Sequence, residues 1–371
     1  MTLWLPWLLA QMPAPWGEWT FYDEAPRAWL WFMWPLSKLR QMWMWANGWG
    51  ATAIVAAVLA AVLIVNWRRP ARQFAATLAI VFAITHLPSG VMRGDAQRSY
   101  FGVYRVMLSA DGQYNILIHG TTLHGAQRVR DEEGNAVADA TPMTYYHPKS
   151  PMALTVAARR EILAGKDRKG RYGVIGLGTG SLACHSAEGE AWRFFEIDPV
   201  VIGIARHSGS FTFLENCQPK TDIVLGDARL TMARQDDGMF DLIIVDAFSS
   251  DAIPVHLMTA EALRLYISKV AEDGIVLLHI SNRYLDLDSV LGATAPTIPG
   301  LHGIIISDDT SDGSYASSTS SVALFAKSES ALEPYRSIGD VHALEAGVVK
   351  PWTDDTSDIL GPFLSKIRRR F

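Results

Sequence analysis

The chain has 371 residues, 49% of them hydrophobic, 19% charged and 10% aromatic, with a formal net charge of −5. That length gives ample core for an enzyme of one or two domains, while the mild acidity and low charge fraction exclude a disordered chain and a nucleic-acid binder. Two cysteines exclude a disulfide scaffold or a Cys-rich zinc module. The averages conceal a two-part chain. Of the 13 tryptophans, 11 lie at or before Trp67, and residues 1–92 carry a charge of +3 against −8 for the remainder.

Residues 1–45 are rich in Trp and Pro and too broken for a regular span, so they read as an interfacial segment. Residues 46–65 (ANGWGATAIVAAVLAAVLIV) carry no charge and are long enough to cross a hydrocarbon core of about 30 Å. Trp43, Trp45 and Trp49 on one side and Trp67 on the other have the character of interfacial belts. A basic turn at Arg68, Arg69, Pro70 and Arg72 leads into a second, weaker apolar run over 74–92, interrupted by His86 and Pro88. Residues 46–92 are therefore expected to form two transmembrane helices. The first long apolar run starts too late for a signal peptide. The basic turn favours its own placement in the cytoplasm, while Lys38, Arg40, Arg93 and Arg98 pull the opposite way.

From residue 98 the pattern changes. β-type runs at 100–109, 114–120 and 121–129, with Asp111-Gly112 as a hairpin signal, predict a small antiparallel sheet over 98–150. Helix-compatible sequence at 153–163 opens a region, 151–371, in which strands and helices alternate. Strand candidates are 172–178, 192–198, 221–227, 240–248, 274–281, 303–309 and 321–327. Near-continuous Val/Ile/Leu runs of this kind predict an α/β fold, a Rossmann-like parallel sheet covered on both faces.

Ligands of such sheets sit beyond the carboxyl ends of the strands. Gly176, Gly178, Thr179 and Gly180 close the first strand, where glycine lets the backbone approach a ligand and a helix N-terminus offers free N–H groups. Glu196 ends the second strand, where a carboxylate can accept both hydroxyls of a ribose. Asp227, followed by Ala228, ends the third, in reach of an adenine amino group, and Asp246 ends the fourth. Each acid alone reads as a helix cap. Three successive strands ending in acids after a glycine turn point to an adenosine-containing ligand, S-adenosylmethionine or a relative.

The motifs RSYFGVYRV (98–106), HGTTLHGAQ (119–127), YYHPKSP (145–151), GLGTGSLA (176–183), FFEID (194–198), GDARL (226–230), VDAFSSDAIPVHLMT (245–259), HISNRYLDL (279–287) and WTDDTSDIL (352–360) occur in one order along the chain. In them the sequence resembles the spermidine synthase (polyamine aminopropyltransferase) family, and more closely its bacterial branch fused to membrane helices. The resemblance implies a class I methyltransferase-like fold and, as co-substrate, decarboxylated S-adenosylmethionine or S-adenosylmethionine, with no metal. It implies that Glu196 binds ribose, Asp227 binds adenine, Gln127 faces the nucleoside and Asp246 is the general base, with Tyr146, Tyr315 and Asp251 beside the acceptor. An amine acceptor such as putrescine and a homodimer formed through the small sheet follow from the same likeness. The cytosolic origin of such nucleosides then places the catalytic domain on the cytoplasmic face of a bacterial inner membrane.

The departures fall on the polyamine half of the site. Thr179 stands where the family has an Asp, Pro148 replaces the Glu of its Tyr-His-Glu motif, and residues 141–144 lack its acidic pair. A multiply charged amine needs carboxylates to replace its hydration. A methyltransferase or a sulfonium-cleaving lyase acting on intact S-adenosylmethionine, and a nucleoside sensor without turnover, are therefore carried as alternatives. His279 reads as a structural histidine, and His119, His124 and His147 match no metal-ligand spacing. Cys184 and Cys217 read as small buried apolar residues. Asp354, Asp355 and Asp358 are a solvated loop or a lid, and Lys366, Arg368, Arg369 and Arg370 a solvated terminus, with anionic lipid heads as the alternative.

Overall fold

The computed structural model describes residues 69, 71–72, 74–78, 95–248, 254–309, 314–345 and 349–370. The chain divides into two compact units, Met1–Val91 and Met92–Phe371. In the first, the described residues are few: 71–72 and 74–78 are helical, with Phe74 and Leu78 exposed. The Trp-rich segment, the run over 46–65 and most of 74–92 lie outside the described residues. Among those described, no helix is long and apolar enough to cross a membrane.

The second unit begins with a four-stranded antiparallel sheet, β1 (Asp95–Ser99), β2 (Gly102–Leu108), β3 (Tyr114–His119) and β4 (Thr122–Arg128), in the order β1-β2-β3-β4. The expected hairpin at Asp111-Gly112 forms: Asp111 accepts from the backbone N–H of Gln113 at 3.1 Å, and Gly112 takes φ +75°. The sheet starts three residues earlier than the sequence pattern indicates, because β1 is polar and carries no apolar alternation.

Helix α1 (Pro151–Ala164) follows, capped by Ser150, whose hydroxyl accepts from the Ala153 N–H at 3.2 Å, with proline in the first turn. The chain then alternates: β5 (Arg171–Ile175), β6 (Ala191–Glu196), α2 (Pro199–His207), α3 (Phe213–Cys217), β7 (Asp222–Leu225), α4 (Ala228–Ala233), β8 (Phe240–Val245), α5 (Ala260–Lys269) and β9 (Val270–His279). After these come α6 (Leu287–Thr294), β10 (His302–Asp308), β11 (Ser320–Ala326), α7 (Glu329–Leu332), β12 (Asp340–Ala343) and α8 (Leu360–Arg370).

The strands form one eight-stranded sheet in the order β12-β10-β11-β9-β8-β5-β6-β7. From β7 to β9 neighbouring strands are parallel, as expected. The remaining edge departs from the all-parallel expectation. β11 runs antiparallel to both β9 and β10, and β12 antiparallel to β10. Eleven residues separate β10 from β11, fewer than the dozen or more that a parallel crossover needs.

Both faces of the sheet are covered. Every residue of β8 is buried, and alternate side chains feed two cores. Val174, Phe194, Leu242 and Ile244 pack with Met152 and Val156 of α1 and Ile204 of α2. Ile175, Phe195, Ile243 and Val245 pack with Met232, Leu263, Tyr266 and Val290 from the other side. Each such side chain contributes about 1.5–3 kcal/mol on burial. The sheet therefore holds the strand ends rigidly.

The cysteines correct their reading as small buried apolar residues: Cys184 and Cys217 form a disulfide, with Cα atoms 4.9 Å apart. The acidic segment after Trp352 is also fixed. Asp354 receives a bidentate pair from Arg229, at 2.6 and 2.9 Å, while the buried Trp352 indole donates to the carbonyl of Asp358 at 2.9 Å.

Candidate active site

The chain leaves β5 for β6 on one side and later returns to β8 on the other, so a crevice opens at the carboxyl ends of β5 and β8. A cavity of about 340 Å³ occupies this place, within the range of small-molecule sites. Its floor comes from the strand ends, and its wall from Phe101, Tyr104, Leu117, His119 and His124 of the small sheet.

Gly176 forms the floor. It takes φ +98°, and a Cβ there would lie 2.3 Å from the carbonyl oxygen of Asp246, so only glycine lets the ends of β5 and β8 close together. Gly178 lines the cavity with φ +54°.

Glu196 is buried at the end of β6. Its two oxygens accept from the backbone N–H groups of Leu177, at 3.0 Å, and Asp198, at 2.9 Å. Burial pushes its pKa above the ordinary value, and the backbone donors oppose that rise. Asp227 caps α4 by accepting from the Leu230 N–H at 3.2 Å, and its other oxygen lies 3.4 Å from His256 Nε2. Ala228 follows it on the cavity wall.

Asp246 stands at the end of β8 with its carboxylate between two side chains. The Tyr146 hydroxyl donates to Oδ2, and His279 Nδ1 lies 2.7 Å from Oδ1. A short 3-10 turn, Thr144–Tyr146, presents the tyrosine, and β9 ends on the histidine. The His279 ring stacks on Tyr145 at 4.7 Å and meets Phe248 edge-on at 5.1 Å. Its Nε2 is buried and finds no hydrogen-bond partner among the described residues. Burial, reinforced by the Asp246 charge, raises the phenols of Tyr145 and Tyr146 well above their ordinary range, so both stay neutral donors.

The wall is apolar and neutral. The His119 ring stacks on Tyr104 at 4.3 Å, with Nε2 3.2 Å from the Phe101 carbonyl oxygen, and burial lowers its pKa. Burial also raises the Tyr104 phenol, with Asp198 beside it. Glu196, Asp227 and Asp246 are the carboxylates lining the cavity among the described residues, and no Lys or Arg lines it. Such a surface favours a ligand that is apolar in bulk and positive at one point.

The structure thus gathers Tyr146, Gly176, Gly178, Glu196, Asp227, Ala228 and Asp246 in one cavity. It takes four other expected residues away from that lining. The Gln127 amide is spent between the two sheets, donating to the carbonyl of Asp139 at 2.8 Å and the Thr212 hydroxyl at 2.7 Å, and accepting from the Thr212 N–H at 2.8 Å. Thr179 is fully buried against Gly125. Gly180 admits Leu214 of α3, where a Cβ would lie 2.7 Å from Leu214 Cγ. Tyr315 packs its ring on Tyr114 at 5.3 Å and gives its carbonyl to the Thr144 N–H. Asp251 lies outside the described residues.

The sequence reading passed over Phe101, Tyr104 and His256, and it took His279 as structural. Among the described residues, no group of three or more His, Cys, Asp or Glu could hold a metal ion.

No protein-family model matches the sequence. A stretch of 95 residues is 39% identical to the polyamine aminopropyltransferase of Vibrio vulnificus (strain CMCP6), covering 24% of this chain and 30% of that protein. The chain thus matches less than a third of the length of this curated relative. Among solved structures, a probable spermidine synthase from Corynebacterium glutamicum ATCC 13032 is 12% identical, covering 71% of this chain and 97% of its own, with a TM-score of 0.48. The spermidine synthase from Thermotoga maritima is 15% identical, covering 72% and 83%, with a TM-score of 0.46. The sequence relative bears the family name that the motifs suggested.

Proposed function

We propose that this chain, a sequence relative of polyamine aminopropyltransferases, transfers a three-carbon aminopropyl group from a sulfonium nucleoside to an amine. The observation that carries this reading is the cavity itself. Two carboxylates suited to a nucleoside, Glu196 and Asp227, share it with a third, Asp246, held by Tyr146 and His279.

The donor is decarboxylated S-adenosylmethionine, with its ribose on Glu196 and its adenine near Asp227; the intact compound would deliver a 3-amino-3-carboxypropyl group by the same displacement. The acceptor nitrogen attacks the methylene carbon beside the sulfonium. A C–N bond forms, the C–S bond breaks, and its electron pair neutralises the sulfur, releasing methylthioadenosine. The new ammonium gives its excess proton to the Asp246 carboxylate. The sulfonium supplies its own activation, so the protein's task is alignment and proton removal. Tyr146 remains a neutral donor and fixes the carboxylate's orientation. Putrescine is one acceptor of the right class, and Asp251 and Tyr315 are placed on the acceptor side only by the family resemblance.

Residues 46–92 are proposed to anchor the chain in a bacterial membrane, on the strength of their uncharged length. The origin of the nucleosides favours a cytoplasmic catalytic domain. The Cys184–Cys217 bond favours the opposite face, since disulfides persist in oxidising compartments. Thiol labelling in whole cells, before and after reduction, decides between them. A homodimer through the small sheet is the corresponding proposal for assembly.

The test is mass spectrometry of nucleoside products from purified protein given either donor, with and without putrescine. Methylthioadenosine formed only with amine is the expected outcome. The same product without amine would identify a lyase, and S-adenosylhomocysteine a methyltransferase. Asp246→Asn should retain nucleoside and lose about 10²–10⁴-fold in turnover; retained turnover would remove the assignment of the base.

A further inference from the structure

Helix α8 (Leu360–Arg370) packs on the protein through Gly361, Pro362 and Ser365. The backbone N–H of Asp286 donates to the carbonyl of Pro362 at 3.1 Å, and the Ser365 hydroxyl donates to the Asp286 carboxylate at 2.6 Å. Pro362 is buried, and a Cβ on Gly361 would lie 2.9 Å from Val349 Cγ1. On the opposite side Leu360 is 71% exposed, Phe363 39%, Leu364 51% and Ile367 40%. Spacings of three, four and seven place these four on one stripe of the helix. Single exposed apolar residues are ordinary, but a continuous stripe on a helix docked by its other face marks an interaction surface.

Charge identifies the occupant. Residues 359–371 contain Lys366, Arg368, Arg369 and Arg370 and no acidic residue, although residues 93–371 together carry −8. An apolar stripe with basic neighbours matches the boundary between acyl chains and anionic headgroups. We propose that α8 is a membrane-surface helix that lays Leu360, Phe363, Leu364 and Ile367 into the interfacial layer of an anionic bilayer. Lys366 and Arg368 then meet lipid phosphates. This contact is separate from the anchor proposed for residues 46–92.

The full chain, with a nitroxide on Leu364→Cys, is reconstituted in nanodiscs of phosphatidylcholine alone or mixed with phosphatidylglycerol. A second preparation carries the label on Ala60→Cys, which reports the anchor by itself. Relaxation by oxygen, which partitions into lipid, is compared with relaxation by a water-soluble nickel chelate. The expected result is a label at position 364 that shifts from chelate-accessible to oxygen-accessible when phosphatidylglycerol is present. Lys366→Glu with Arg368→Glu should abolish the shift. A label equally open to the chelate in both discs overturns the proposal, whatever the label at position 60 reports. So does dipolar coupling between labels at position 364, which would show a second copy covering the stripe.

Discussion

His279 Nδ1 lies 2.7 Å from Oδ1 of Asp246, and both side chains are buried. The pair joins the ends of β8 and β9, so the carboxylate facing the cavity is held from behind. Replacing His279 with Ala leaves that carboxylate without one of its two side-chain partners. Loss of a buried partner costs about 1–3 kcal/mol. Turnover should accordingly fall about tenfold or more, with nucleoside affinity unchanged. Parallel measurements of kcat and of ligand binding by calorimetry check this, and an equal loss in both would show a purely structural role.

On the proposed function, Glu196 predicts the acid limit of nucleoside binding. A ribose needs the ionised carboxylate, and burial holds its pKa above the ordinary value of 4.5. Affinity should therefore fall on acidification at a higher pH than for an exposed glutamate. The sign for the fold is opposite. The folded protein holds this proton more tightly than the unfolded chain does, so its contribution to stability is complete at low pH and is lost as pH rises through the folded pKa. Binding titrations from pH 7 downward should show the loss in the parent protein. Glu196→Gln should bind weakly at every pH, without that step.

The disulfide predicts a redox-dependent melting temperature. Cys184 and Cys217 are 33 residues apart, and a loop of that length is worth about 3–4 kcal/mol in the chain-entropy account. Reduction, or Cys217→Ser, should lower Tm by several degrees in calorimetry. An unchanged Tm would mean that the two thiols are not joined in solution.

Gly176→Ala tests the close approach of β5 and β8. A left-handed backbone costs a non-glycine residue about 1–3 kcal/mol, and the Cβ would also meet the Asp246 carbonyl at 2.3 Å. The variant should melt lower and lose nucleoside binding. Gly209→Ala provides the control, since it has a similar φ, +67°, but nothing within 4 Å of the added Cβ. Only the backbone cost should appear there.

Much of the fold was legible because buried strands write themselves as Val/Ile/Leu runs. β8, with every residue buried, is the clearest case. The antiparallel edge at β11 was not legible, since composition does not record strand direction. In the site, Glu196, Asp227 and Asp246 could be read because each ends a strand, and strand ends converge. Gln127 and Thr179 lie near cavity residues in sequence, but their side chains turn away into packing, and Gly180 makes room for Leu214. The contact of His279 with Asp246, 33 positions away, is not legible in the sequence.

Helix α3 has only five residues, yet it bears on both sheets. Thr212, its cap, is clasped by Gln127 of β4; Leu214 fills the space that Gly180 leaves, and Cys217 is bonded to Cys184 just beyond the glycine turn. The small sheet and the glycine turn therefore do not behave as interchangeable modules. A foreign N-terminal sheet grafted onto this domain would have to bring its own clasp for Thr212, and recombination that breaks the chain between β4 and α3 would disturb the ligand floor.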